Sequence, residues 1–184
     1  MIPAGAGLTL LSGCGSEPAT QTEQRQLVND GNATIKDMEI DDSQLSTDLK
    51  QAVGYAVFPN VGEGALVVKA ASGNGEVYQG GKYIGSAHLT IGGVGLSVGG
   101  ASYSELILFQ TPEALQNFED NKLSFDATAT ATALQAGATA PVKYTNGVAV
   151  LKHVKGGLMV DASIGGQQLT FKAANVQPAT QPMP

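Results

Sequence analysis

Two histidines, His88 and His153, and one cysteine, Cys14, are the residues of this 184-residue chain best suited to hold a metal or to serve as base and nucleophile. A zinc site needs three or four ligands. The two histidines fall on separate candidate strands with no third to join them, so each reads as a surface or core histidine. Ser97, Ser102 and Ser104 offer hydroxyls but lack a G-x-S-x-G elbow and a fitting order of His and Asp. Asp126 and Asp161 could form a carboxylate pair for glycoside hydrolysis, but their Thr- and Ser-containing surroundings suit turn or ladder residues better. Gly93-Val94-Gly95 begins like a dinucleotide fingerprint, whose third glycine belongs at position 98. Val98 stands there, Gly99 comes one place late, and strand-like residues follow where a helix should open. No catalytic set, metal site or cofactor is expected, and the chain reads as a binding protein rather than an enzyme.

Basic residues form the better candidate cluster. The net charge of −6 argues against nucleic acid as a partner, because neutralising phosphates needs a basic surface. That sum hides a gradient: residues 1–50 carry eight acids against three bases, 51–120 six against two, and 121–184 two against five. The basic third holds Lys143, Lys152, Lys155 and Lys172. One face of it could approach an anionic surface while the remainder is repelled. Strand alternation turns Lys152 and neighbouring His153 to opposite faces, so not every member can point one way.

Cys14 has no partner for an intramolecular disulfide, and its context is Leu8-Thr9-Leu10-Leu11-Ser12-Gly13-Cys14. An apolar run ending in Leu-Ser-Gly-Cys resembles a bacterial lipobox, in which the thiol receives a diacylglycerol and becomes the first residue of the mature protein. Each buried CH₂ of such an anchor contributes about 0.8 kcal/mol. No Lys or Arg precedes the apolar run, so the charged n-region of a full signal peptide is expected further upstream. Gly15, in place of Asp after the cysteine, implies the periplasmic side of the outer membrane. Residues 1–14 then read as a signal remnant with its lipobox, 15–32 as a polar flexible tether, 33–174 as the folded domain and 175–184 as a loose tail.

Within the domain, Leu45, Leu49, Ala52 and Val53 recur at helical spacing after Asp41, Asp42 and Ser43, which predicts an amphipathic helix over 43–53. Strands are expected at Tyr55–Phe58, stopped by Pro59-Asn60, and at Gly64–Ala71, turning at Ser72-Gly73-Asn74-Gly75. Glu76–Gln79 should pair with Lys82–Leu89 across Gly80-Gly81. Leu106–Phe109 reads as a strand buried on both faces. Thr111-Pro112-Glu113 then opens a short helix near 112–121, with Thr as N-cap and Pro at N1. Asp126–Ala133 alternates Ala and Thr as a strand with small side chains. Asn146-Gly147 marks a hairpin between 142–144 and 148–154, and a meander through 158–164 and 167–172 should place the late strands side by side. With 24 glycines, the expected class is α+β with predominantly antiparallel β: a Gly-rich sheet or meander, sandwich-like or barrel-like in form, plus the N-terminal amphipathic helix and the short helix.

At these residues the chain resembles the SYLF-domain family, which has lipid-binding eukaryotic members and lipoprotein or secreted bacterial ones. The matching pieces are Gly54-Tyr55-Ala56-Val57-Phe58-Pro59-Asn60-Val61 after a helix, Gly92 to Gly100 followed by Leu106-Ile107-Leu108-Phe109 and Ala114-Leu115 through Phe118, and Lys155-Gly156-Gly157-Leu158-Met159-Val160 through Gly166. Together they span about residues 43–172. The resemblance implies binding of anionic phospholipid through a basic surface and the amphipathic helix. That helix carries only Lys50 as a base, so the expected headgroup contacts shift to Lys143, Lys152, Lys155 and Lys172. The expectation is therefore a monomeric, non-enzymatic envelope lipoprotein that binds phospholipid at a membrane surface. The alternative is a structural or protein-interaction module of the envelope, with a protein partner and no lipid ligand.

Overall fold

Thr20-Gln21-Thr22-Glu23 carries the reciprocal cap of a helix start: Thr20 Oγ1 accepts from the Glu23 amide at 3.2 Å, and the Glu23 carboxylate accepts from the Thr20 amide at 3.0 Å. From it runs α1 (Gln21–Asp41). This computed structural model describes residues 20–64, 68–94, 102–123, 125, 132–133, 142–154 and 166–174. Residues 21–32, expected as tether, are thus helical. The polar composition is misleading because α1 buries only Gly31, Thr34 and Met38, a narrow stripe at helical spacing, and leaves the rest of its surface to water. The helix expected over 43–53 is α2 (Leu45–Gln51), shorter because Asp42 is the C-cap residue of α1 and its side chain accepts from the Gln44 amide at 2.9 Å.

Three long strands follow, β1 (Gly54–Gly64), β2 (Val68–Gln79) and β3 (Lys82–Val94). Two expected breaks are absent. Pro59-Asn60 sits in an irregularity of β1 between Val57 and Gly62 rather than ending it, and Pro59 O accepts the Ser104 hydroxyl at 2.7 Å. Opposite lie Gly73 and Gly75, inside β2. A Cβ at Gly73 would come 2.7 Å from Asn60 O, and one at Gly75 2.5 Å from the Phe58 ring. Glycine serves close strand approach there, which a turn reading misses. The hairpin at Gly80-Gly81 forms as expected, with φ of +54° and +76°.

β4 (Ser102–Phe109) is buried from Tyr103 onward, and Thr111 caps α3 (Pro112–Glu119) by accepting from the Ala114 amide at 3.2 Å. Of the expected strand 126–133 the described part is the two-residue β5 (Thr132–Ala133). Asn146 and Gly147 take φ of 52° and 77° and lead into β6 (Val148–Val154), and β7 is Gln167–Ala173. Expectations for 158–164 and for the tail 175–184 lie outside the described residues.

The strand order is β5-β6-β4-β1-β2-β3-β7, antiparallel throughout except the parallel β5–β6 pair. The class is α+β with a predominantly antiparallel sheet, and the sheet does not close. Among the described strands β6 and β7 are separated by β4, β1, β2 and β3, and the strand expected between them over 158–164 lies outside the described residues. Doubly buried β4 needs ladders on both edges and takes β1 and β6, while β7 covers the outer edge of β3. The sheet curls. Its concave face holds Phe58, Leu89, Ile107, Val150 and Leu169, closed at one end by α3 through Phe118, whose ring lies 4.9 Å from Phe109 and 5.8 Å from Phe171. On the convex face, α1 and α2 cover Val57, Leu106, Leu108 and Leu151 with Met38 and Leu45. Among the described residues no helix is long and apolar enough to cross a membrane.

Candidate functional site

The four expected headgroup lysines do not form one patch. Lys143 and Lys172 are exposed, Lys152 is only 3% exposed, and Lys155 lies outside the described residues, as does Cys14. Lys152 points into the concave face, its Nζ 4.5 Å above the centre of the Tyr103 ring, and it pairs in register with Glu105 of β4. The physical reason is alternation along β6: Lys152 shares a face with Val148 and Val150, which belong to the core. A buried lysine cannot reach a headgroup, so its assignment as a lipid contact is corrected.

Glu105 is fully buried at the end of the concave face away from α3. Gln167 of β7 donates through Nε2 to its Oε1. Burial pushes the Glu105 carboxyl up to about 7, against the lowering influence of the Lys152 charge and the Gln167 hydrogen bond. Its Oε2 and the Oε1 of Gln167 find no hydrogen-bond partner among the described residues. The cluster ties β4, β6 and β7 together across the curled sheet.

A second polar cluster lies under α1. The buried Glu76 carboxylate accepts from the Tyr78 hydroxyl at 2.9 Å and from Gln24 Nε2 at 3.2 Å, and burial raises its pKa. Burial, then the Glu76 charge, also raises the phenols of Tyr55, Tyr78 and Tyr83. The Tyr55 and Tyr78 rings stack at 5.0 Å. The two histidines are engaged separately. His153 Nε2 meets Asp41 Oδ2 at 2.9 Å on the convex face, opposite in facing to Lys152 as alternation requires, and His88 Nδ1 lies 2.7 Å from Asn74 Oδ1 on the neighbouring strand. Among the described residues no three of His, Cys, Asp and Glu gather into a metal-sized group. Asp126 and Asp161 lie outside the described residues.

A different grouping of lysines emerges at the hairpin end of the sheet, where the Gly80-Gly81 turn, α3 and the Asn146-Gly147 turn sit. Lys82 follows the first turn, Lys50 lies on α2 just before β1 begins, Lys122 follows α3, Lys143 precedes the second turn, and Lys172 is next to the last residue of β7. All five are exposed. Glu113, Glu119 and Asp120 of the α3 region share this end, and Lys122 pairs with Asp120 at 2.8 Å, which holds the Asp120 carboxyl below its usual range. Sequence reasoning pointed to Lys143 and Lys172, and offered Lys50 only as the lone base of its helix, but gave no reason to join them with Lys82 and Lys122, which the strand order brings to the same end. It also passed over Glu105, although the alternation Tyr103, Glu105, Ile107, Phe109 sets that acid on the core face.

No protein-family model matches the chain, and no curated protein matches it, so the likeness to the SYLF family rests on the motifs quoted above.

Proposed function

We propose that this chain is a non-enzymatic, lipid-anchored protein of the bacterial envelope, held at the outer membrane through Cys14, that rests its hairpin end on anionic phospholipid headgroups. One observation carries this reading: the start of α1 lies at the same end as the exposed lysines. Gln24 donates to the Tyr83 hydroxyl at 3.0 Å, and Tyr83 is two residues past the Gly80-Gly81 turn. Thr20, which accepts from the Gln24 amide, is one helical turn nearer the anchor. Six residue steps from Cys14 to Thr20 reach at most about 20 Å. Acyl chains on Cys14 would therefore hold the membrane within about 20 Å of the start of α1.

The acids of α3 keep the net positive charge of this end small, so free headgroup affinity is modest. An anchor supplies the missing strength, because it converts each lysine contact into an intramolecular event. Each exposed lysine close to an anionic surface contributes about 1 kcal/mol. Lys143 and Lys172 keep the role expected of them, and Lys152 serves the fold.

The test is co-sedimentation of the full chain carrying Cys14→Ser with anionic and with neutral vesicles. Binding to anionic vesicles should exceed binding to neutral ones and weaken as salt rises from about 0.05 to 0.5 M. Lys143→Ala and Lys172→Ala should each weaken it about threefold to fivefold, in line with about 1 kcal/mol per lysine. Equal sedimentation with both vesicle types, alongside one specific protein recovered by crosslinking, would instead favour a protein-interaction module.

A further inference from the structure

A cleft of about 460 Å³ opens at the same end, between the last turns of α1, the helix α2 and the Gly80-Gly81 turn. Its size lies within the range of about 300–1,000 Å³ typical of small-ligand sites. Ser46 and Lys50, four residues apart on one face of α2, both line it. Glu39 of α1 lines it as well. Neither Glu39 nor Lys50 has an ion-pair partner among the described residues. Leu49, Ala52 and the Tyr55 ring add apolar lining. At Gly80 and Gly81 an added Cβ would meet nothing within 4 Å, so the mouth is open on the turn side.

One cationic and one anionic group in the same open cleft, with no pairing between them, complement a ligand that carries both charges. An anion alone would be opposed by Glu39, and a cation alone by Lys50. A primary ammonium can donate hydrogen bonds to the Glu39 carboxylate, whereas a trimethylammonium has no N–H to give. The usual alternative for a quaternary ammonium, an aromatic cage, is poorly supplied, because Tyr55 has one face stacked on Tyr78. We propose that the cleft binds the phosphoethanolamine headgroup of a membrane phospholipid, with the phosphate at Lys50 and Ser46 and the primary ammonium at Glu39. This deepens the reading of the hairpin end as membrane-facing and rests on it for the source of the headgroup.

Amide NMR of the full chain carrying Cys14→Ser tests the chemistry with soluble probes. Glycerophosphoethanolamine should give saturable shifts at Ser46, Lys50, Gly80 and Gly81, and glycerophosphocholine should bind at least fivefold more weakly. Glu39→Gln and Lys50→Gln should each weaken glycerophosphoethanolamine at least fivefold, and Glu39→Gln should also erase the preference over the choline probe. Gly80→Asn keeps a residue that accepts positive φ while placing a side chain at the mouth, so it should weaken the probe with the turn intact. Absence of shifts at these amides, equal response to the two probes, or indifference to Glu39→Gln overturns the assignment. Vesicles then settle the source. Adding phosphatidylethanolamine to neutral phosphatidylcholine vesicles should increase sedimentation of the chain and not of its Glu39→Gln variant; no increase, with the soluble probe still bound, overturns the membrane source. Failure of the salt-dependent anionic-vesicle test with probe binding retained removes the electrostatic reading of this end and leaves the cleft chemistry standing, whereas the reverse pattern removes the cleft alone.

Discussion

Glu105 and Lys152 show how one residue's environment decides its role. The raised Glu105 pKa means that the folded state holds a proton the unfolded state has already released between pH 4.5, the ordinary value of a glutamate, and about 7. Unfolding then liberates a proton, so this contribution to stability is fullest below the unfolded pKa, falls as pH rises through the window, and levels off above about 7. The loss amounts to on the order of 3 kcal/mol across that range. Glu105→Gln should flatten the fall. Urea melts of both proteins from pH 4 to 8 check this, and an unchanged slope in the variant would place the titration elsewhere, with buried Glu76 as the next group whose pKa is raised.

Elements are held by narrow features that composition obscures. A Cβ at Gly31 would lie 3.2 Å from both Glu76 Oε2 and Val57 Cγ1, so α1 packs there closely enough that even a methyl presses on both side chains and a larger group has no room. Gly31→Leu should lift α1 away, with hydrogen exchange accelerating across residues 21–41 while the β1–β2 and β1–β4 ladders keep their protection. Thr20→Ala, which removes the cap, should cost only about 1 kcal/mol and fray the first turn. Unaltered exchange of α1 in Gly31→Leu would contradict this docking. Those same features explain what the sequence made legible. The Gly80-Gly81 and Asn146-Gly147 turns, the doubly buried run Leu106–Phe109 and the Thr111-Pro112 helix start were readable because each is dictated within a few residues. The start of α1 was written equally locally, as Thr20 and Glu23, but its burial of three residues across 21 left no strong apolar stripe. Gly73 and Gly75 looked like a turn because a close approach to β1 and a reversal both call for glycine, and only the partner strand tells them apart. Lys152 leaves the expected lysine group because alternation along β6 turns it into the core, whereas the gathering of Lys50, Lys82, Lys122, Lys143 and Lys172 at one end follows from the strand order, a property of the whole sheet.

At the scale of the molecule, the curled sheet has helices on its convex face and a side-chain core on its concave face, which leaves its ends as the places where function can sit. The far end holds the buried Glu105 cluster, and the hairpin end holds five exposed lysines, the cleft and the start of α1. The central claim is one of orientation: the hairpin end faces the membrane. The chain has no tryptophan, so a single introduced indole reports its own position. Tyr83, 38% exposed beside the hairpin turn, and Ser102, exposed at the far end of β4, are the two sites to compare. With the chain bound to anionic vesicles containing brominated lipid, fluorescence of the Tyr83→Trp protein should be quenched and that of the Ser102→Trp protein should not; equal quenching, or quenching at Ser102→Trp alone, would contradict the account.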